Sequence, residues 1–490
     1  MPVQVEDERI ILYRHFCDYE LLKIFVSDIK YNCNNIITED EKQKIKIRLS
    51  KLGKYKTRNS KEKPNDAINH RINTLQYWMF GYKHKVGREL KFIFSPLGNL
   101  FLKHIDDDEK LKKIFVTMLF AVQFPHPGST NMSSDFNIYL FRIIFKLLLD
   151  SRLEGKLYNQ DYELCLAFLK NINATSYEEL VSTILKNRNL ADKDIIDILK
   201  SKEHTYVNNV YEWEYYTQNL LQSMGIINKT EGTTLCKLFH PTKKETTKPT
   251  SRTARRGFIT LNSELISFIA LLLENYHYDE MPLCLNDEER LEIDVIKEIY
   301  SFYPKELLNE IGDYNPIIDE LLQLPKLIKL YAVNEQQGDC YNFEEKLAEG
   351  FNQFSNVDAI WRGGAGNTDV ECIYTHEKRG KKFAVDGKST ANKLSSLNAG
   401  RLRAHRKKIG GKYTIVVTPK YVPAVKQDIY DEPIVIITSS TFSEYLYNCI
   451  SHNVRDIDYT DFDEIIMNNL GTDVSKKISD LTLEKFGACA

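Results

Sequence analysis

The chain has 490 residues, of which 42% are hydrophobic and 27% charged, and its formal net charge is −2. No apolar run reaches the roughly 20 residues that a membrane helix needs, and the charged start "MPVQVEDERI" is not a signal peptide. Nine scattered cysteines without a C-x-x-C pair exclude the usual zinc spacing and indicate reduced thiols in a cytoplasmic protein.

The charge is unevenly distributed along the chain. Residues 261–345 hold 19 Asp and Glu against 5 Lys and Arg, a local charge of −14, so the rest of the chain carries +12. Residues 42–63 hold ten Lys and Arg against one Glu, and residues 243–256 hold six against one. Such runs are usually solvated surface, but they also suit contacts with a polyanion, which the acidic segment would avoid.

The first part of the chain predicts helix, helix, β-hairpin and helix. The stretches "YELLKIFVSDIKYN" and "NDAINHRINTLQYWMFGY" have helical periodicity. Gly81 and Gly87 then punctuate two short extended runs, and Ser95-Pro96 forms an N-cap and N1 pair for the next helix. This order is typical of a winged-helix module, and the alternative is an unspecialised helical domain with a hairpin.

A similar pattern recurs further along the chain. "NNVYEWEYYTQNLLQSMG" predicts a helix that ends near Gly225, followed by a two-stranded wing with Glu231-Gly232 at its turn. A basic loop, "HPTKKETTKPTSRTARRG", then leads to a long apolar helix. Two such patterns in tandem favour the winged-helix interpretation. The acidic residues after them predict a mostly helical connector that packs on protein, because like charge holds it off phosphates.

From residue 341 the predicted order is α-β-β-α-β-β-α, which indicates a mixed α/β domain. "YNFEEKLAEGFNQF" is the first helix, "TDVECIY" and "FAVDGK" are strands, and "SSLNAGRLRAHRKKIG" is a basic helix. Two buried strands, "KYTIVVT" and "PIVIIT", precede a last helix, "SSTFSEYLYNCI". Thr441 with Glu444 three residues later predicts a capping box for that helix.

Two carboxylates stand on strands of this domain that otherwise have core composition. Asp369 opens one strand, and Asp386 and Lys388 end the next on a shared face. Their convergence is unfavourable unless a cation offsets the repulsion, and Mg²⁺ prefers oxygen ligands. The lysine would then orient or deprotonate an attacking water. The alternative is a strand cap and an exposed ion pair, but the apolar context, Glu344 on the preceding helix and the basic helix afterwards favour the metal site.

These residues resemble the PD-(D/E)xK nuclease superfamily. "EEKLAEGF", "RGGAGNTD" and "VDGK" are similar to the leading helix, Gly-Gly loop and Asp-x-Lys of the FokI-like type IIS restriction endonucleases, with the AlwI-like enzymes as a second comparison. "FIFSPLGNLFLK" and "FITLNSELISFI" resemble the wing-to-helix junctions of the FokI DNA-reading domain. Thr368 stands where the motif has proline, and the segment between the second wing and the nuclease is shorter than in FokI.

The resemblance implies a multidomain protein in which α-helical winged-helix DNA-recognition modules precede an α/β PD-(D/E)xK nuclease domain. The boundaries are residues 1–150 and 151–275 for the two recognition subdomains, 276–335 for the acidic helical connector, and 336–490 for the nuclease domain. The expected activity is Mg²⁺-dependent cleavage of double-stranded DNA at a fixed distance outside a recognition site. A cytoplasmic prokaryotic protein of a restriction-modification system, for host defence and without a membrane partner, is expected.

The resemblance also implies roles for individual residues. Asp369 and Asp386 are Mg²⁺ ligands, the Gly387 carbonyl is a further ligand, Lys388 is the general base or water-orienting residue, and Glu344 is a supporting acid. One active site cuts one strand, so double-strand cleavage implies a transient homodimer through the nuclease domain. A strand-specific nickase with the same residues, and a catalytically inactive winged-helix DNA-binding protein, are the alternatives.

Asparagine and glutamine favour adenine and arginine favours guanine in the major groove. The helix that contains Asn69, Arg71, Asn73 and Gln76 is therefore the predicted base-reading helix. Basic side chains of the first hairpin and of the second basic run are expected to contact DNA phosphates. The predicted DNA-binding residues are Asn69, Arg71, Asn73, Gln76, Lys83, Lys85, Lys243, Lys244, Lys248, Arg252, Arg255 and Arg256.

Overall fold

A computed structural model describes most of the chain. The described residues are 8–55, 65–128, 135–240, 251–285, 292–335, 338–364, 366–376, 379–452, 454 and 456–486. The chain forms two compact units, Met1–Asp313 and Tyr314–Ala490, so the boundary falls inside the predicted acidic connector. Among the described helices, none combines the length and hydrophobicity that crossing a membrane requires.

The first unit is mainly helical and contains two antiparallel sheets, β1-β2 and β3-β5-β4. Its strands are β1 (Gly81–Val86), β2 (Glu89–Phe94), β3 (Leu157–Tyr158), β4 (Ile227–Phe239) and β5 (Ser251–Leu261). Its helices are α1 (Tyr19–Ser27), α2 (Glu39–Lys51), α3 (Asp66–Tyr77), α4 (Pro96–Lys103), α5 (Asp108–Ala121), α6 (Leu140–Leu149), α7 (Asn159–Leu164), α8 (Ala174–Arg188), α9 (Asp192–Ser201), α10 (Glu203–Glu212), α11 (Gln218–Ser223), α12 (Ile266–Asn275), α13 (Glu292–Tyr300) and α14 (Lys305–Glu310).

The first predicted hairpin is confirmed. β1 and β2 pair with Val86 opposite Glu89, and Gly87 at the turn has φ +59°, a conformation that glycine adopts without strain. Ser95 caps α4, because its hydroxyl oxygen accepts a 2.9 Å hydrogen bond from the Gly98 N–H, and Pro96 takes the first helical position. The two predicted helices correspond to α1 and α3, which precede this hairpin and α4 in the predicted order, and α2, which the sequence analysis treated only as part of a basic run, lies between them.

The prediction for the second wing was wrong at its turn. β4 runs without interruption through Glu231-Gly232 and pairs with β5, with a register shift between Thr230 and Thr233. Gly232 has φ +68°, and a Cβ atom there would lie 2.0 Å from the Arg256 carbonyl oxygen. Glycine at a β-bulge gives the same sequence signal as glycine in a turn. The predicted basic loop is therefore partly strand β5, while residues 241–250 lie outside the described residues.

The second unit is built on a mixed sheet of order β10-β9-β8-β7-β6, in which β6-β7-β8 are antiparallel and β8-β9-β10 parallel. Its strands are β6 (Val357–Trp361), β7 (Val370–His376), β8 (Arg379–Gly387), β9 (Thr414–Thr418) and β10 (Ile434–Thr438). Its helices are α15 (Pro316–Leu321), α16 (Gln323–Val333), α17 (Cys340–Phe351), α18 (Ala399–Ile409), α19 (Val425–Asp428), α20 (Ser439–Ser451), α21 (Thr460–Met467) and α22 (Ser475–Phe486).

Two details of this unit differ from the sequence prediction. Strand β6 was not predicted, because five residues at a sheet edge give a short pattern with few buried positions. Helix α20 begins one turn earlier than the predicted capping box, since Thr438 is the N-cap and its hydroxyl accepts from the Thr441 N–H at 3.4 Å. The other predicted helices and strands of this region are confirmed within a few residues.

Alternation along the strands divides the buried residues between two sides of the sheet. Val370, Cys372 and Val385 belong to the core that α17 covers, which includes Phe343 and Leu347. The opposite side has its own core, with Leu402, Val416 and Ile434 among its members. Because successive side chains point to opposite faces, Asp386 and Lys388 lie on the α18 side of β8, while Gly387 faces α17.

Candidate active site

The pairing of β7 with β8 brings the two predicted aspartates together. Val370 is the Cα partner of Val385, so Asp369 lies beside Asp386 one position further along the ladder. The Gly387 N–H donates a 2.8 Å hydrogen bond to Asp369 Oδ2. Thr368, at the proline position of the motif, donates from its hydroxyl to the Val385 carbonyl at 2.9 Å. The threonine therefore ties the start of β7 to β8, a function that proline could not perform.

Asp386 is buried with an unusual set of partners. Its residue exposure is 1%, and the ammonium of Lys388 forms an ion contact with Oδ1. Arg401 Nη2 lies 3.9 Å from Oδ2. Apart from these ion contacts, neither carboxylate oxygen accepts a hydrogen bond from a described residue. Burial of a carboxylate whose lone pairs are satisfied only in part is costly in free energy, so this position calls for a functional explanation.

The pKa values of the neighbouring ionisable groups are shifted in the directions that burial dictates. Burial raises the pKa of Asp369, against the opposing effects of the Lys388 charge and the Gly387 N–H. Burial likewise lowers the pKa of Lys388. Burial and the charge of Asp369 raise the pKa of Glu344. The charged forms of Asp369 and Glu344 are thus disfavoured by poor solvation, which an additional cation would relieve, whereas the same cation would further disfavour the charged form of Lys388.

Helix α17 brings Glu344 to this edge and packs against Gly387, the last residue of β8. Glu344 Oε2 accepts a 3.2 Å hydrogen bond from Trp361 Nε1 on β6. A Cβ atom at Gly387 would lie 3.1 Å from Leu347 Cδ1 and 3.2 Å from Phe343 Cδ1. Glycine therefore allows α17 to pack closely here, and its backbone carbonyl is the group it can offer to a ligand. All five predicted site residues lie at the edge of the sheet where β7 begins and β8 ends.

The donor set fits a hard divalent cation. Two carboxylates and a backbone carbonyl are oxygen ligands of the kind that Mg²⁺ takes while it keeps several waters. The fit rests on Asp386, whose buried oxygens accept no hydrogen bond from the described residues beyond the ion contacts with Lys388 and Arg401. In the described part of the chain, no three His, Cys, Asp or Glu side chains cluster as a metal site of protein side chains alone.

The sequence analysis gave no role in the site to three residues that the structure places at this edge. Trp361 contacts Glu344, Thr368 ties β7 to β8, and Arg401 approaches Asp386. A strand prediction over residues 357–361 would have found the tryptophan. The arginine lies in the predicted basic helix, but its distance from Asp386 depends on how α18 crosses the sheet.

The predicted base-reading helix, α3, is less exposed than its polarity indicates. Asn69, Arg71 and Asn73 are half-buried, whereas Gln76 is 8% exposed and so is placed to pack inside the unit. Lys83 Nζ donates to Asn73 Oδ1 at 2.8 Å. Lys83 and Lys85 are both exposed and share one face of β1. Base reading by α3 stays a prediction, with Gln76 the least accessible of its residues.

The arginines of β5 differ in how far the protein already engages them. The Arg252 guanidinium stacks 3.6 Å from the centroid of Tyr211, and Arg255 Nε lies 3.7 Å from Glu231 Oε2. Arg256 pairs with Asp192 and donates to the Arg188 carbonyl at 2.7 Å. These contacts stabilise the wing, and DNA contacts by the three arginines stay predictions. Lys243, Lys244 and Lys248 lie outside the described residues.

Comparison with known proteins gives a family match and a full-length relative. A family model described as "Type II restriction endonuclease HgaI, N-terminal domain" matches residues 5–276. The type II restriction enzyme HgaI of Avibacterium volantium is 44% identical over 484 residues, which cover 98% of this chain and 98% of the relative.

Solved structures of two other endonucleases are similar at low scores. The BpuJ1 endonuclease binding domain, in complex with modified DNA, has a TM-score of 0.39 and 15% identity, and covers 61% of this chain and 98% of its own. Restriction endonuclease FokI has a TM-score of 0.26 and 10% identity, with coverages of 93% and 98%. Similarities at these TM-scores carry no argument about this chain.

Proposed function

Because this chain belongs to the HgaI family of type II restriction endonucleases, we propose that it uses Mg²⁺ to cut DNA at a fixed distance outside its recognition sequence. As a type II restriction enzyme it is a site-specific deoxyribonuclease. The observation that carries the proposed chemistry is Asp386, a carboxylate at 1% exposure that lies beside Asp369 and in contact with the Lys388 ammonium, with no further hydrogen bond from the described residues.

The residues of this edge have separate roles in phosphodiester hydrolysis. Asp369, Asp386 and the Gly387 carbonyl hold the divalent cation, which when bound supplies charge stabilisation for the phosphate. Lys388 orients the attacking water and accepts its proton, aided by the low pKa that burial gives its amine. The water oxygen bonds to phosphorus, one P–O ester bond breaks, and the leaving oxygen takes up a proton. Glu344 supports this arrangement from α17.

Recognition is assigned to the first unit. We place winged-helix subdomains in residues 1–150 and 151–275, with the β1-β2 and β4-β5 hairpins as their wings. The exposed Lys83 and Lys85 on one face of β1 support phosphate contacts by the first wing. Since each chain has one catalytic edge, cutting both strands requires a transient homodimer through residues 336–490.

Mapping of DNA ends tests this proposal. Mixed phage and plasmid DNA is treated with the wild type and with Asp386→Ala, in Mg²⁺ or in EDTA, and every new end is sequenced. We expect double-strand ends at one constant distance from a shared short sequence, present only with wild type in Mg²⁺. Single-strand ends of the same kind would show a nickase. No cutting by the wild type in any divalent metal, with DNA binding retained, would overturn the proposal.

A further inference from the structure

Helix α18 presents a basic face to the catalytic edge. Arg401 and His405 are four residues apart and Lys408 follows three later, so the three side chains lie along one side of the helix. Arg401 Nη2 is 3.9 Å from Asp386 Oδ2. His405 interacts electrostatically with Asp369 and Lys388. Lys408 Nζ donates to Asn367 Oδ1 at 2.7 Å, which holds the glycine loop before Asp369 against the same helix.

The first two of these residues have bonding capacity that the described residues do not use. The Arg401 side chain is 54% exposed, and its contact with Asp386 is longer than a hydrogen bond. The Nδ1 atom of His405 is buried and has no hydrogen-bond partner among the described residues. By contrast, Arg403 on another side of the helix is paired with Glu432, and Arg406 donates to the Pro433 carbonyl at 3.4 Å.

A DNA phosphate that approaches Asp369 and Asp386 is repelled by both carboxylates. A cation between the carboxylates offsets part of this repulsion, but it does not fix the direction from which the phosphodiester enters. A guanidinium can do so, because its planar fork donates two parallel hydrogen bonds to one phosphate. Arg401 lies on the α18 side of the carboxylates, which is also the side where the Lys388 amine must meet the attacking water.

We propose that Arg401 and His405 form a phosphate clamp that binds one phosphate of the cut strand and positions the scissile bond over Asp369 and Asp386. This inference rests on the proposed function and adds residues that the sequence motif does not include. The clamp binds the sugar-phosphate backbone without regard to base, so it acts on cleavage and leaves sequence preference to the first unit.

Single-turnover cleavage of a duplex that contains the mapped site provides the first test. Arg401→Ala in the full chain is expected to lower the cleavage rate by about 100-fold, as the loss of one preorganised charge donor does elsewhere. The dissociation constant for DNA should change less than about threefold, because one phosphate contact among many is lost. Arg401→Lys should recover part of the rate. Arg403→Ala, on the same helix but paired with Glu432, is the matched control and should cleave like wild type.

A neutral phosphate separates a clamp from a merely structural role. Methylphosphonate is placed at each position around the cut site, one at a time, in otherwise identical duplexes. One position near the cut is expected to slow wild type and Arg403→Ala by the same factor that Arg401→Ala loses. At that position the substitution should slow Arg401→Ala no further, and His405→Ala should show a reduced penalty.

The outcomes of these experiments distinguish a failure of the clamp from a failure of the proposed function. If the wild type does not cleave, the proposed function fails and not the clamp alone. If the wild type cleaves and Arg401→Ala stays within about threefold of it, the clamp is wrong while the function stands. If Arg401→Ala is slow but retains every methylphosphonate penalty of the wild type, Arg401 acts on the fold of the site, which also overturns the clamp.

Discussion

Two carboxylates, one in each unit, are equally buried but differ in their hydrogen-bond partners. Glu212 in the first unit and Asp386 in the second are each 1% exposed. Glu212 accepts hydrogen bonds from Arg9 Nη1 at 2.7 Å and Nη2 at 2.9 Å, and from the Leu12 N–H at 3.0 Å. Asp386 has ion contacts with Lys388 and Arg401 but accepts no hydrogen bond from a described residue.

This difference in partners indicates a different role for each carboxylate. A buried carboxylate with a bidentate arginine and a backbone N–H is part of the fold, and the removal of one partner leaves an uncompensated charge. A buried carboxylate that accepts no hydrogen bond beyond its ion contacts gains less from its surroundings, so we expect it to contribute less to stability in the absence of a ligand. The same contrast holds for Asp161, which accepts from Arg188 Nη2 at 2.6 Å and the Tyr158 N–H at 2.8 Å. Among the described residues, Asp386 combines such burial with a place at a strand end beside a second carboxylate, Asp369.

The largest expected effect is on catalysis at the open site. Asp369→Ala should lower single-turnover cleavage by at least about 1,000-fold, because an essential group of the site is lost. DNA binding, measured by fluorescence anisotropy, should be retained. Asp358→Ala, an exposed aspartate on the neighbouring strand β6, is the control and should cleave normally. Equal activity in the two variants would place the chemistry elsewhere.

Glu212, whose carboxylate has its hydrogen-bond partners, should contribute to the stability of the fold. Glu212→Ala leaves Arg9 buried without its partner, so the free energy of unfolding should fall by about 3–5 kcal/mol. Urea titration followed by circular dichroism measures this change, with Glu179→Ala on the exposed face of α8 as the control. A loss below about 1 kcal/mol, which is the range of surface pairs, would contradict the structural role of Glu212.

A second buried pair in the first unit predicts a dependence of stability on pH. Burial raises the pKa of Glu214 from 4.5 to about 7, and burial and the charge of Glu214 raise the pKa of Glu163. Between these pH values the folded protein keeps protons that the unfolded chain releases, so this pair makes stability fall as pH rises. Glu214→Gln removes its titration. The stability of the variant relative to wild type should therefore increase from pH 4.5 to 7, and a constant difference would contradict the assignment.

The smallest expected effect concerns the wing. Lys85→Ala removes one exposed charge from β1, so the slope of log binding constant against log salt should decrease in magnitude by about one. Affinity should weaken to a similar degree for cognate and non-cognate DNA. Lys305→Ala, exposed on α14 in the acidic segment, is the control. An unchanged slope for Lys85→Ala would remove this face of β1 from the DNA contact surface.

Residues with local signals were predictable from the sequence. The β1-β2 hairpin, the Ser95 cap and the strands that carry Asp369 and Asp386 follow from turn glycines, capping chemistry and alternation. The second wing was misread because Gly232 serves a β-bulge, which is visible only from its approach to the Arg256 carbonyl. Strand β6 was missed because its five residues pair at a sheet edge.

The site was predictable in its residues but not in its environment. The motif identifies Asp369, Asp386 and Lys388, whereas the lack of hydrogen bonds to Asp386 depends on the whole packing of β8. Arg401 is 15 positions along the chain from Asp386 and reaches it only because α18 packs on that side of the sheet. Polarity alone also gave no sign that α3 buries Gln76 to 8% exposure.

The most direct test of the contrast is one variant, Asp386→Asn, in which cleavage and stability are measured on the same preparation. The amide keeps the shape of the carboxylate but removes its charge. We predict that cleavage in Mg²⁺ is lost while the free energy of unfolding stays the same or rises, because a poorly solvated buried charge is gone while Asp369 and Glu344 still offset the charge of Lys388. Retained cleavage, or a loss of stability near the roughly 3–5 kcal/mol expected for Glu212→Ala, would contradict the account.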